Sequence, residues 1–476
     1  MSGPAGGLPI VLAVGGLVHE SALVAACTAR GTGLTVVRRA VDAVDAVGAA
    51  GAGGAAAVVL SAQLPRLSAD TVHRLRTAGV AVVGVADDGD EAADRRLLRL
   101  DVPRVVTVRR GAAAEAAAAI GAAIGDLRAQ GGPARATAGY ADPRQSQRPH
   151  PRSPAGPASA RPRTGGTDGP GPDVHEPEAA ATPSSLVAVW GPTGAPGRTS
   201  VALGLADELA RAGTPALLVD ADPYGGAVAA CLGIHDEASG LAVACRQADQ
   251  GALDVPALAR AARGLSGRLR VLTGIGHPER WVELRPSALE SLWRTCGHTP
   301  GVTVVDTGFC LEADEELAYD TLAPRRNAAT LTALQAADTV VAVGAADPVG
   351  VARLLSALPD LRARVPDTPV RVVLTRVRRG PLGADPAGQL RTALARHAGV
   401  DDVVLVPDDR NAYDTCLREG RTLAEAVPRS TARAALRELA SGLIDELARP
   451  APPGPGAAGA RRSRRRGVRA GRRAVA

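Results

Sequence analysis

Between residues 187 and 222 the chain reads Val187-Ala-Val-Trp-Gly-Pro-Thr-Gly-Ala-Pro-Gly-Arg-Thr-Ser200 and then, one helical stretch later, Leu217-Leu-Val-Asp-Ala-Asp222. The first apolar run is too short for a helix and is broken by glycines. Val201, Leu205 and Leu209 then recur at helical spacing, Gly213 closes the helix, and a second apolar run ends in paired carboxylates. Strand, tight loop, helix and strand in so few residues call for a parallel βαβ unit. Gly194 and Gly197 permit turns and a close approach that a side chain would block. Loop N–H groups and the dipole of the following helix then converge on an anion, the layout of a phosphate-binding loop.

The departures from the strict G-x-x-x-x-G-K-[ST] pattern are concrete. Pro192 stands where the first glycine belongs, and Arg198 stands where the lysine belongs. Pro192 and Pro196 have no backbone N–H to offer. Arg198 keeps the charge, but a planar fork is no substitute for a compact ammonium at close quarters. All 55 basic residues of the 476 are arginine, the composition of a very GC-rich genome, so Arg198 also has a compositional explanation. Thr199 keeps the hydroxyl position that ligates Mg²⁺ in such loops. Whether nucleotide is hydrolysed or only held turns on residue 198.

Further strands follow. Val302-Thr-Val-Val-Asp-Thr-Gly308 ends in Asp306, the form of a Walker B segment whose carboxylate meets Mg²⁺ through water. Apolar runs at 338–343, 370–374 and 403–407 complete a mainly parallel sheet.

Ahead of this unit, short apolar runs at 10–14, 34–37, 56–60, 80–85 and 104–108 alternate with helical stretches such as 68–78 and 112–127. Five β/α units of this size resemble a response-regulator receiver domain. Its chemistry is missing: Ser61 occupies the position of the phosphate-accepting aspartate, Gly15 and Gly16 replace the acidic pair, and no lysine follows the fifth strand. The expected architecture is therefore α/β, with two doubly wound parallel-sheet domains. A degenerate receiver-like domain covers 1–128 and a phosphate-loop domain covers 185–447. Between them, 129–184 is rich in Pro, Gly, Ser and Arg and is expected to be a disordered linker.

Residues 448–476 form a Pro/Gly-rich stretch and then a tail with eight arginines from Arg461 to Arg473. Removing those eight from a net charge of +6 leaves about −2, so the body is nearly neutral and the tail is basic. Such a tail suits nucleic-acid phosphates or anionic lipid headgroups, or serves only as a solubilising extension. It lacks the bulky apolar residues of an inserting amphipathic helix. Six scattered cysteines without a CxxC pair read as reduced thiols, and the eight dispersed histidines, His235, His277 and His298 among them, as surface or core residues rather than ligands. Without a signal peptide or a long apolar run, the expected location is cytoplasmic or peripheral at the inner face of the membrane. Arg325-Arg326-Asn327 reads as a solvated helix start in preference to a DNA or partner contact.

Taken together, residues 185–447 resemble the MinD/ParA family, and within it the CpaE/TadZ branch and the actinobacterial septum-site-determining proteins. That branch also carries a receiver-like domain ahead of the ATPase. The resemblance implies ATP and Mg²⁺ as cofactors. Thr193, at the position of the family's second lysine, Gly194, Ala195, Gly197, Arg198, Thr199 and Ser200 would line the phosphates. Thr199 and Asp306 would hold the metal. Asp220 and Asp222 would belong to switch I and position the attacking water with Arg198 in the catalytic set, and Asp306-Thr-Gly308 would be switch II. Thr375 falls where the family has an adenine-contacting asparagine, and Pro407 opens the loop near the base.

The resemblance further implies a nucleotide-sandwich homodimer that positions pilus or secretion machinery, or the division septum. A non-hydrolysing scaffold and a ParA-like DNA-partitioning ATPase, with the arginine tail on DNA, stand as rivals. Nothing marks the small-molecule pocket of a metabolic ligase.

Overall fold

The computed structural model describes residues 7–129, 184–235, 238–313 and 324–447. The expected linker and the arginine tail lie outside the described residues, apart from the ends of the linker range.

The first sheet is built from β1 (Leu8–Ala13), β2 (Leu34–Arg39), β3 (Ala57–Ser61), β4 (Ala81–Asp87) and β5 (Val105–Val108). They pair in parallel in the order β2-β1-β3-β4-β5, the order of flavodoxin-like doubly wound folds. The strands lie within about two residues of the runs picked out by sequence. Helices α1 (Glu20–Thr28), α2 (Ala43–Gly51), α3 (Ala69–Thr77), α4 (Glu91–Arg99) and α5 (Ala113–Ala129) cover both faces. One core lies under α2, α3 and α4, around Val58, Leu60, Leu75 and Leu97; the other lies under α1 and α5, around Ile10, Val59, Ile120 and Ile124. Asp42, Ser68 and Asp90 start α2, α3 and α4, each accepting a hydrogen bond from the third backbone N–H beyond. Ser61 donates to the Gly15 carbonyl at 2.6 Å, so its hydroxyl is committed to the fold.

The second sheet takes β6 (Ser184–Trp190), α6 (Arg198–Arg211), β7 (Ala216–Ala221), the short α7 (Val228–Cys231), α8 (Gly240–Asp249), α9 (Val255–Ala261), β8 (Arg263–Gly264), β9 (Leu269–Leu272), α10 (Pro286–Cys296) and β10 (Gly301–Thr307). It continues through α11 (Ala328–Ala336), β11 (Thr339–Ala345), α12 (Pro348–Arg364), β12 (Val370–Val377), α13 (Arg379–Leu382), α14 (Pro386–Ala398), β13 (Val403–Pro407), α15 (Arg410–Glu419), α16 (Leu423–Ala426) and α17 (Thr431–Leu447). The strand order is β13-β12-β11-β6-β10-β7-β9-β8, parallel except for the β8–β9 edge pair. That edge escapes a sequence reading because β8 is only Arg263-Gly264 and β9 is four residues interrupted by Arg270.

The first strand, β6, sits mid-sheet, with the chain leaving toward β7 on one side and later crossing to β11 on the other. A crevice at the carboxyl ends of strands where the order reverses is where open α/β sheets take ligands. The carboxyl end of β6 is the glycine-rich loop. Behind it, α6 is buried from Val201 to Ala210, including Asp207 and Glu208. Glu208 is matched by Arg433 at 2.6 Å, and Gly204 leaves room for Leu436 of α17, whose Cδ1 would lie 2.4 Å from an added Cβ. A helix this enclosed fixes the position of its own N-terminus.

The first domain rests its α3–α4 side on α8–α10. Asp70 pairs with Arg285 at 3.4 Å, Arg99 with Asp254 at 3.1 Å, and Asp101 with Arg294 at 2.7 Å. Leu100 packs onto Gly251, where a Cβ would come within 2.8 Å of its Cγ.

Candidate nucleotide site

Gly191 follows β6 directly, and a Cβ there would lie 2.4 Å from the Val343 carbonyl oxygen. The chain then turns, with Ala195 N–H donating to the Pro192 carbonyl at 2.9 Å. Gly194 and Gly197 adopt φ of 71° and 97°, the left-handed region that suits glycine. Helix α6 begins at once, with no side chain capping its first N–H groups. Those donors are the orphan groups at which anions collect.

Three carboxylates gather beside the loop. β7 and β10 pair in parallel with Asp220 opposite Asp306, so both project to the same side of the sheet. Each is 1% exposed. Asp220 accepts from the N–H groups of Val228 at 3.1 Å and Asp222 at 3.4 Å. It is closely packed: an added Cβ at Gly226 or Gly274 would come within 2.8 or 2.7 Å of its carboxyl group. Asp306 accepts from the Thr199 hydroxyl at 2.6 Å through Oδ2, while its buried Oδ1 has no hydrogen-bond partner. Burial pushes the carboxyl groups of both Asp220 and Asp306 well above the usual range; the Asp222 charge raises Asp220 further, and the Asp220 and Asp222 charges raise Asp306. The Thr199 hydrogen bond and the Arg198 charge pull Asp306 part of the way back.

Arg198 does not lie free in the loop. Its Nη1 donates to the Gly191 carbonyl at 3.0 Å and its Nη2 to Asp222 Oδ2 at 3.2 Å, an ion pair whose side chains are 16% and 9% exposed. The guanidinium expected to face phosphate is engaged here by its own loop and by Asp222. Asp222 Oδ1 accepts from Tyr224 N–H at 2.9 Å, so both oxygens of this carboxylate are engaged.

Thr193, Gly194, Ala195 and Ser200 all lie on the loop and the first turn of α6, with Thr193 and Gly194 exposed. Thr375, at the end of β12, turns its hydroxyl to the Pro196 carbonyl at 2.7 Å. That hydroxyl helps hold the loop, while the residue also borders the cavity. Beyond it opens a cavity of about 360 Å³ lined by Gly197, Thr199, Ser200, Thr375, Pro407 and Tyr413. Arg376 on its wall has φ of 59°, an uncommon backbone state for a residue with a side chain.

Two features were not foreseen. Arg353 of α12 lies over Gly194, where an added Cβ would clash with its Nη1, and donates to the Thr193 carbonyl at 3.4 Å. No sequence signal points to it, since α12 is brought to the loop only by sheet order. Asn327, expected in a solvated helix start, is buried: it accepts from the Tyr224 hydroxyl at 2.8 Å and donates to the Glu312 carbonyl at 2.9 Å. Arg326 stacks 4.5 Å above the Tyr224 ring.

The residues present fit a hard divalent cation. Asp306 Oδ1 is a buried oxygen lacking a donor, beside the Thr199 hydroxyl. Among the described residues no group of three or more His, Cys, Asp or Glu side chains is arranged to hold a metal alone. Mg²⁺ does not need one, since it commonly uses one or two protein ligands plus phosphate oxygens and water.

No family model matches the chain, and no curated protein matches it. Among solved structures it is similar to a ParA family ATPase from Chlorobium tepidum, at 16% identity over 55% of this chain and 99% of that one, with a TM-score of 0.44. The septum site-determining protein MinD of Pyrococcus horikoshii, complexed with Mg-ADP, is similar at 17% identity over 56% and 97%, with a TM-score of 0.44. The ATP complex of a Cyanothece McdA variant is similar at 15% over 55% and 97%, with a TM-score of 0.42. Likenesses this distant add nothing to the topology already described.

Proposed function

We propose that the chain is a MinD/ParA-type spatial regulator that binds MgATP at the loop 193–200. The observation that carries the reading is the Thr199–Asp306 hydrogen bond of 2.6 Å at the uncapped start of α6. A loop hydroxyl and a strand-end carboxylate are joined there beside orphan N–H groups. Thr199 and Asp306 would hold Mg²⁺, which when bound neutralises charge on the phosphates. Asp220 and Asp222 stand beside the phosphate site as the switch carboxylates. The cavity between Gly197 and Pro407 would take the base and sugar. In this reading nucleotide closes a homodimer that marks a cellular position for pilus, secretion or division machinery, as in the CpaE/TadZ branch. The domain that precedes it would hold a partner through its receiver-like fold.

A second reading is a scaffold that binds nucleotide without turning it over. The Arg198–Asp222 pair supports it, because the one loop cation is already neutralised. Phosphoryl transfer depends on charge placed where it develops in the transition state.

Calorimetric titration of MgATP into the full chain tests the proposal. Micromolar affinity supports it, and no heat at millimolar nucleotide removes it. Turnover of the bound ATP then separates switch from scaffold.

A further inference from the structure

Arg198, the residue expected to supply charge to the phosphates, is matched by Asp222, and Thr193 brings no cation at all. A polyanion bound along the loop would therefore lack a counter-charge from these two positions. Arg353 is differently placed. Its guanidinium lies against the outer turn of the loop at Thr193 and Gly194, its Nη1 near the Thr193 carbonyl. It has no ion-pair partner among the described residues. The bare Cα of Gly194 makes that approach possible, since any Cβ there would meet the guanidinium.

The geometry of the loop gives the contact a direction. The cavity suited to a base adjoins Gly197, Thr199 and Ser200. Thr193 and Gly194 are at the other end of the same loop. A phosphate chain that starts in the cavity and follows the loop has its last phosphate nearest Thr193, Gly194 and Arg353.

We propose that Arg353 binds the terminal phosphate of a nucleoside triphosphate and supplies the discrimination between triphosphate and diphosphate that this loop's own residues do not. The inference rests on the nucleotide-binding reading above. Arg353 would act as a binding residue from a helix remote in sequence, and its planar fork suits a phosphate with two free oxygens.

The test is calorimetric, on the full chain, with MgATP and MgADP titrated separately into the parent, Arg353→Ala and Arg353→Lys. Arg353 is exposed, so truncation leaves the core intact, and thermal unfolding of each variant verifies this. The parent is expected to favour MgATP over MgADP. Arg353→Ala should lose roughly tenfold or more in MgATP affinity with little change for MgADP, and Arg353→Lys should recover part of the loss. Equal affinities for the two nucleotides in the parent, an unchanged ratio in Arg353→Ala, or an equal loss for both nucleotides would overturn the inference while leaving the nucleotide-binding reading standing. Failure of the parent to bind either nucleotide overturns both.

Discussion

Arg198 donates to Asp222 at 3.2 Å across the mouth of the glycine-rich loop, so the loop's cation is already paired with a carboxylate just past the end of β7. Both side chains are largely buried, and the second arm of the guanidinium is held by the Gly191 carbonyl.

That pairing makes residue 198 a test of switching. Arg198→Ala leaves Asp222 without its cation and should lower stability by about 3 kcal/mol, the low end for breaking a buried pair. Arg198→Lys combined with Thr193→Lys places compact ammonium groups at both positions, and is expected to raise MgATP turnover at least about tenfold. A phosphate-release assay decides: an unchanged rate marks a scaffold.

Asp306 should show a trade between stability and ligand binding. Its carboxyl titrates higher in the fold than in the unfolded chain because it is buried. The folded state therefore holds its proton at pH values where the unfolded chain has lost it. The resulting stabilisation is complete below the usual carboxylate range and is lost as pH rises through the raised value. Asp306→Asn removes this titration. In metal-free buffer its melting temperature should exceed that of the parent by a few degrees at pH 9, with the difference shrinking toward pH 5. The same variant should lose MgATP binding by calorimetry. A melting difference that does not vary with pH would contradict the account.

The contact between the two domains is sterically exacting at Gly251. Its φ is 67°, and an added Cβ would come within 2.8 Å of Leu100 Cγ and 3.1 Å of the Arg96 carbonyl oxygen. Gly251→Ala should cost about 1–2 kcal/mol, combining backbone strain with the clash. Leu100→Ala alone should cost about 2–4 kcal/mol. The double variant should be less destabilised than the sum, because the clash is relieved. Strict additivity in denaturant unfolding would show that the two residues do not meet.

The cysteines should divide by burial. Cys27, Cys245, Cys296 and Cys416 are buried, and burial raises each thiol above its ordinary range, strongly so for Cys245 and Cys296. Cys231 and Cys310 are partly accessible. Iodoacetamide at pH 8 should label Cys310 first and Cys231 more slowly, the latter because burial and the nearby Asp306 and Asp220 charges disfavour its thiolate. Modification of Cys245 or Cys296 before unfolding, detected by peptide mass spectrometry, would contradict their placement.

Much of this architecture was legible from local pattern. Alternation of short apolar runs with helical stretches located the central strands, because fully buried parallel strands must be continuously apolar. The β8–β9 edge was missed, since β8 is only Arg263-Gly264 and Arg270 interrupts the four-residue apolar run of β9. The loop was legible because glycine is favoured where φ is positive, and Gly194 and Gly197 sit at such places. Asp220, Asp222 and Asp306 were picked out as polar residues closing apolar runs, where a strand end is the only reason to interrupt the pattern.

What the sequence determined by itself was thus local: which segments are strands, where the chain must turn, and which side chains stand at strand ends. Which of those residues meet was decided by the sheet. The parallel register sets Asp220 beside Asp306, and the crossing order of the strands carries α12 back to the loop so that Arg353 covers Gly194. Arg198 is the sharpest case. Its position in the motif marks a cation at the loop; the fold decides its contacts, Asp222 and Gly191, two acceptors that satisfy a guanidinium which would otherwise be buried unpaired.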